Sequence, residues 1–200
     1  MTSKLQKWNK AYKGVDIASA EAAQILTENA HLLPRNGEAL DLACGRAGNA
    51  IFLAKQGLIV DAVDISPVVL ASVEQYVAQE GLSISCVCRD VEKEGLVEKK
   101  YDVIVVSYFL NRELFPQIIK ALKPDGLLFY ETWSQQKVDD LGPSNPNFRL
   151  AMGELLEFTS KQRPLFYREE GKLGNTSKGS RNVAMIIIQN REKEGGCTSK

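Results

Sequence analysis

The chain has 200 residues, 44% hydrophobic and 25% charged, enough for one domain that buries roughly 70% of its unfolded surface without disulfide or metal staples. Lys plus Arg number 25, and so do Asp plus Glu, so no charge excess points to nucleic acid as a partner. The longest apolar runs, 183–188 and 103–106, are far too short for a membrane span, and no apolar stretch follows the lysine-rich start to make a secretory signal.

Apolar residues at helical spacing (Ala22, Ile25, Leu26, Leu33) predict a helix over 18–33, stopped by Pro34. A short apolar run, 39–43, predicts a buried strand, followed by a helix over 49–56 that ends at Gly57. A second strand covers 58–64. Ser66 then caps a helix with Pro67 at its first position, running to about Glu80. The third strand is 83–88, followed by a polar loop over 90–100. The fourth is the β-branched 102–107. A helix over 112–122 is expected to stop at the KPDG turn, 123–126, and a fifth strand to cover 127–132.

Strands alternating with helices imply right-handed crossovers and a mostly parallel, doubly wound sheet. The last third changes rhythm: a loop over 134–150, a short helix at 153–160, and strands at 164–170 and 182–189. The turn joining those strands is rich in Gly and Ser and leaves no room for a crossover helix, so they should pair as an antiparallel hairpin. The count is then seven strands. Residues 191–200 read as a disordered tail. The cysteines Cys44, Cys86, Cys88 and Cys197 form no C-x-x-C pair, and the single histidine, His31, is distant in sequence. Free buried thiols are expected, and no metal.

Ligands of open α/β sheets bind at the carboxyl ends of the strands. The first such loop, 41–50 (DLACGRAGNA), carries Gly45 and Gly48, which admit close backbone approach, and a helix N-terminus at Asn49. Asp64 closes the second strand, where a carboxylate accepts hydrogen bonds from both hydroxyls of an adenosine ribose. Asp90 ends the third strand and is placed to meet an adenine amine, with Ile65 and Val91 flanking the ring. Ala47 and Ala50 replace the later glycines of a dinucleotide loop, and Asp41 would repel a diphosphate. The same Asp41 favours a ligand whose far end carries an ammonium and a sulfonium, which is S-adenosylmethionine.

These segments resemble the class I S-adenosylmethionine-dependent methyltransferases, from about Asn36 to Gln189. Loop 40–50 is similar to the family's glycine-rich first motif, with Ala43 and Ala47 where glycines are commoner. Segment 60–66 resembles the ribose motif and 88–91 the adenine segment, while 101–105 and 122–128 match the fourth strand and the turn into the fifth. Within the family, the segment CGRAGNAIFLA, 44–54, is similar to the tellurite-resistance (TehB-like) small-molecule methyltransferases, and Trp8 to Tyr12 match a W-x-x-x-Y that precedes the fold in many of them.

The resemblance implies a Rossmann-like fold in a single domain, 1–200, with a cover segment over about 1–16. It also implies S-adenosylmethionine as cofactor, held by Asp41, Ala43, Cys44, Gly45, Asn49, Asp64, Ile65, Asp90, Val91 and Ser107. The expected partner is a small-molecule acceptor, with no nucleic acid and no membrane, in a cytoplasmic monomer or homodimer. Methyl transfer is an in-line displacement that mainly requires alignment. Tyr108, Arg112 and Trp133 are the catalytic candidates, with Asn111, Glu131, Tyr12 and the anion-binding candidate Arg149 beside them. No dedicated base stands out, which suits a soft chalcogen or thiol nucleophile. The alternatives are a small carboxylate, phenol or amine acceptor bound by Arg112 and Arg149, or a non-catalytic S-adenosylmethionine-binding module. A nicotinamide dehydrogenase is disfavoured by Asp41, Ala47 and Ala50.

Overall fold

A computed structural model describes residues 3–191. Seven strands form one sheet: β1 (Glu38–Leu42), β2 (Ile59–Asp64), β3 (Ile84–Cys88), β4 (Tyr101–Ser107), β5 (Leu122–Trp133), β6 (Arg163–Arg168) and β7 (Val183–Gln189). Their order is β3-β2-β1-β4-β5-β7-β6. The first five pair in parallel, and β7 inserts antiparallel between β5 and β6. The expected doubly wound sheet and C-terminal antiparallel hairpin are both present.

Alternation along each strand sends side chains into two cores. In β4, Val103 and Val105 join Phe129, Met185 and Ile187 beneath α2 (Gln24–Glu28), α3 (Gly48–Lys55) and α4 (Pro67–Glu80). Ile104 and Val106 face the other way, with Leu128, Tyr130 and Ile186, against α5 (Val91–Glu94), α6 (Phe115–Lys120) and α7 (Glu154–Phe158). The chain reverses direction across the sheet between β1 and β4, and the carboxyl ends of that pair form the crevice where ligands of such sheets sit.

Three predicted elements come out differently. The 18–33 helix is confined to α2 and a 3₁₀ turn, Ala30–Leu32. Residues before it are held open because the Ala23 N–H donates to Asn49 Oδ1, 2.9 Å away, instead of to a helical carbonyl; a tertiary bond overrides the local periodicity. The loop over 90–100 contains the helical turn α5. The KPDG segment does not precede the fifth strand: Leu122 already pairs with Tyr101, and 123–126 form an irregularity inside β5 with Asp125 at φ 61°.

A helix not predicted from the sequence, α1 (Lys4–Ala11), opens the described chain. It carries a capping box between Ser3 and Gln6. Of the cysteines, Cys44 is buried, Cys86 half-buried and Cys88 exposed rather than buried. Cys197 and the tail 192–200 lie outside the described residues. Among the described residues, no helix is long and apolar enough to cross a membrane.

Candidate active site

The loop after β1 turns on residues with positive φ: Ala43 at 57°, Gly45 at 52° and Ala47 at 59°. The two alanines occupy the left-handed region where a Cβ costs about 1–2 kcal/mol. Ala43→Gly is therefore expected to stabilise the protein by about 1 kcal/mol, read as a higher midpoint in urea denaturation.

The glycines of this loop admit other parts of the same chain. A Cβ on Gly45 would lie 2.8 Å from the Tyr12 hydroxyl, and one on Gly48 only 2.1 Å from the Glu21 carbonyl oxygen. The N-terminal segment thus lies directly on the loop. The Ser66 hydroxyl bonds Asn9 Oδ1 at 2.7 Å, Lys4 pairs with Glu92, and Trp8 stacks on Tyr12 with centroids 5.5 Å apart.

Asp64, at the end of β2, accepts from the Gly45 N–H (2.9 Å) through Oδ2 and from the Ser66 N–H (2.8 Å) through Oδ1. It ties the glycine loop to the start of α4, and burial pushes its carboxyl above the usual range. Each oxygen keeps further lone-pair capacity for a ligand hydroxyl. Ile65 beside it is half-buried, and Asp90, at the end of β3, pairs with Lys93 at 3.1 Å. Val91 is turned into the core with Leu42 and Val63. Cys44 is buried and bonded through its N–H to the Val63 carbonyl.

Asp41 is fully buried. Its Oδ1 accepts from the Asn49 amide (3.2 Å) and its Oδ2 from the Ala50 N–H (3.0 Å). Asn49 also donates to Ser107 Oγ at 2.8 Å. The Asn49 side chain thereby joins β1, β4 and the segment before α2 at the crevice. Asp41 holds the loop from inside through its two bonds.

Burial raises its carboxyl to about 7. A folded value above the unfolded one of roughly 4 means that the folded state binds the extra proton. That stabilisation is present at acid pH and lost as pH rises from about 4 to about 7. Asp41→Asn lacks this loss, so its melting temperature relative to wild type is expected to rise between pH 5 and pH 8. A flat difference contradicts the assignment.

On the β4–β5 side, a cleft of about 460 Å³ is lined by Glu21, Gln24, Thr27, Glu28, Ser107 and Tyr108 among others, with no lysine or arginine lining it among the described residues. Tyr108 is half-exposed and sits at φ 54°. Its hydroxyl donates to Glu131 Oε1 at 2.7 Å, and its ring lies 5.0 Å from that of Trp133. Glu131 is buried beneath it, with Oε2 accepting from the Ile25 N–H at 2.9 Å. Burial, with Glu28 nearby, pushes its carboxyl up.

The other acceptor candidates are engaged elsewhere. Arg112 donates to both carboxylate oxygens of Glu154 (2.6 and 3.0 Å) and to the carbonyls of Asn147 and Arg149. Arg149 is buried, bonded to the carbonyls of Pro143, Ser134 and Leu141, with its guanidinium 5.7 Å from the Trp133 ring centroid. Gly142 packs on the Trp133 ring, where a Cβ would fall 2.5 Å from it. Asn111 bonds Glu92, and His31 is exposed. Both arginines thus organise the 134–153 loop, and Tyr108 is the one member of the predicted trio that lines the cleft. The wall residues Glu21, Gln24, Thr27 and Glu28 were missed because periodicity read them as one side of a helix.

A methyltransferase domain model matches residues 39–126. The chain is 30% identical over 153 residues to a Haemophilus influenzae protein named "Probable S-adenosyl-L-methionine-dependent methyltransferase TehB", covering 73% of this chain and 53% of that one. It is 28% identical over 130 residues to a ubiquinone biosynthesis O-methyltransferase of Coxiella burnetii, covering 62% of this chain and 56% of the relative. The chain spans about half the length of these curated relatives. Among solved structures, TehB of H. influenzae superposes with a TM-score of 0.69 at 22% identity, covering 94% of this chain and 67% of the other. A protein from the study "Conversion of a Disulfide Bond into a Thioacetal Group during Echinomycin Biosynthesis" superposes with a TM-score of 0.69 at 17% identity, covering 94% and 93%. At these identities the superpositions establish the fold. By matched segment, sheet order and relatives together, the chain has the fold of the class I S-adenosylmethionine-dependent methyltransferases and is similar to them, the TehB-like proteins included.

Proposed function

We propose that the chain binds S-adenosylmethionine at the carboxyl ends of β1 to β3 and methylates a small-molecule acceptor in the Tyr108 cleft. The observation that carries this is Asp64: a buried carboxylate at the end of β2, bonded to the Gly45 and Ser66 amides and retaining acceptor capacity for the ribose hydroxyls. Ala43, Cys44 and Gly45 form the turn beneath the methionine end, and Asn49 with Asp41 and Ser107 fixes that turn. Ile65, Asp90 and the backbone at Val91 bound the adenine end, and the cover segment, with Tyr12 over Gly45, shields the bound group from water. S-adenosylmethionine supplies the electrophilic methyl group. The protein's own work is to align the acceptor with it and to handle the acceptor's proton.

A soft chalcogen or thiol is the favoured acceptor class, suggested by the likeness to TehB and to a protein whose study concerns conversion of a disulfide bond into a thioacetal group. The carboxylate alternative loses support because Arg112 and Arg149 are both engaged with the chain itself. The test is incubation with methyl-labelled S-adenosylmethionine and a panel of thiols, selenite, tellurite and small carboxylates. Label transfer to a thiol or chalcogen supports the proposal. Transfer to carboxylates alone contradicts the acceptor class, and transfer to none of them contradicts it as well.

A further inference from the structure

We propose that Tyr108 and Glu131 form a proton-accepting pair for the acceptor, so that the cleft takes an uncharged thiol in its protonated form and rejects oxyanions. The inference rests on the methyltransferase reading of the site and deepens it. Tyr108, which follows β4, lines the cleft, and its hydroxyl is committed as donor to Glu131 Oε1 at 2.7 Å. Its lone pairs are thereby left for an incoming donor. A thiol is such a donor; a carboxylate or a fully deprotonated oxyanion is not. Glu131 lies behind it, 1% exposed, and Tyr108 is the cleft residue bonded to its carboxylate.

The pair is held rigidly. The Ile25 N–H fixes the second carboxylate oxygen, the Tyr108 N–H bonds the Glu131 carbonyl at 2.8 Å, and the left-handed backbone of Tyr108 aims its ring across Trp133. A left-handed tyrosine costs on the order of 1–3 kcal/mol and persists only where its surroundings enforce it.

The charges facing the pair agree. Glu21 and Glu28 line the same cleft. Glu28 is met by Gln24 at 2.6 Å and by Arg168 at 3.6 Å, and Arg168 is itself bonded to Glu170 at 2.6 Å. Glu170 is also met by Arg181 at 3.5 Å, so these four charges balance in pairs, and Glu21 on the cleft wall leaves the lining negative, which repels tellurite, selenite or a carboxylate and tolerates a neutral acceptor. Burial first, and then the Glu28 charge, raise the Glu131 carboxyl, making it a stronger base than an exposed glutamate.

In the step, the thiol proton passes to Tyr108 Oη while the tyrosine proton passes to Glu131 Oε1. The acceptor sulfur's electron pair forms the new S–CH3 bond, and the methyl–sulfonium bond breaks with its pair retained by the departing sulfur. The products are a methyl thioether, S-adenosylhomocysteine and a protonated Glu131, which returns its proton to solvent through Tyr108.

Two thiols that enter in their protonated forms separate this role from a structural one: benzyl mercaptan, the weaker acid, which needs the base, and thiophenol, the stronger acid, which needs it less. Glu131→Gln is expected to lower kcat for benzyl mercaptan on the order of 100-fold while changing thiophenol turnover only a few-fold, with S-adenosylhomocysteine affinity by calorimetry within twofold of wild type. Tyr108→Phe should show the same selectivity. The wild-type benzyl mercaptan rate should fall as pH drops through the Glu131 titration, and calorimetry of the S-adenosylhomocysteine complex should detect no tellurite or selenite binding. Equal losses for the two thiols, loss for neither, no turnover of either by a protein that binds the adenosyl ligand, or tight oxyanion binding each overturn the proposal. Absence of adenosyl-ligand binding instead removes the methyltransferase reading beneath it.

Discussion

Asp64→Ala is expected to raise the dissociation constant for S-adenosylmethionine by two to three orders of magnitude. The carboxylate is bonded to two backbone amides, Gly45 N–H at 2.9 Å and Ser66 N–H at 2.8 Å, and is 6% exposed. Bonds to a charged acceptor contribute about 1.5–3 kcal/mol each, and every 1.4 kcal/mol is tenfold in affinity. Removing the side chain subtracts the bonds to the ribose and also frees the glycine turn from β2. Stability should change less than binding, because burial penalises the charged form of Asp64 and its removal relieves that penalty. Asp64→Asn keeps a carbonyl oxygen for one amide and should fall between the two. Isothermal titration with each variant checks the order; wild-type affinity in Asp64→Ala takes Asp64 out of the site.

Gly48→Ala is the second large effect, expected to destabilise the protein by about 3 kcal/mol. The new Cβ would meet the Glu21 carbonyl oxygen at 2.1 Å, its carbon at 2.6 Å and the Ala22 nitrogen at 3.2 Å. These are backbone atoms and cannot swing aside, so either α3 shifts or residues 21–23 lift away. Lifting them breaks the 2.9 Å bond from Ala23 to Asn49 and moves the Glu21 wall of the cleft. The variant should unfold at lower urea concentration and, where still folded, show altered acceptor KM with near-normal S-adenosylhomocysteine affinity. Unchanged denaturation would mean that segment 21–23 does not lie against the loop.

Gly48 also illustrates what a sequence conveys and what it does not. A glycine between a strand and a helix marks a close approach, and that much was legible; whether a ligand or the chain itself approaches is a long-range fact. The strands were legible because Val, Ile and Leu alternate or run continuously between turn residues, and the antiparallel hairpin because no crossover helix fits before β7. The carboxylates at the ends of β1, β2 and β3 were placed by the same pattern.

Helix 18–33 failed because the Asn49 side chain competes for the Ala23 amide across 26 positions, a contact no local window holds. Arg112 read as an acceptor-binding cation because its partner, Glu154, lies 42 positions away. Glu131 was legible as a candidate by its position in β5. Its pairing with Tyr108 depends on the left-handed turn after β4, which a tyrosine gives no local sign of adopting.

The central claim, that this chain is built around an adenosyl ligand held by Asp64, is tested most directly by isothermal titration calorimetry with S-adenosylmethionine, S-adenosylhomocysteine and NAD in parallel. Micromolar binding of the first two and none of NAD is the predicted result. No binding of either adenosyl compound contradicts the account, and binding of NAD alone would put a dinucleotide where Asp41, Ala47 and Ala50 argue against one.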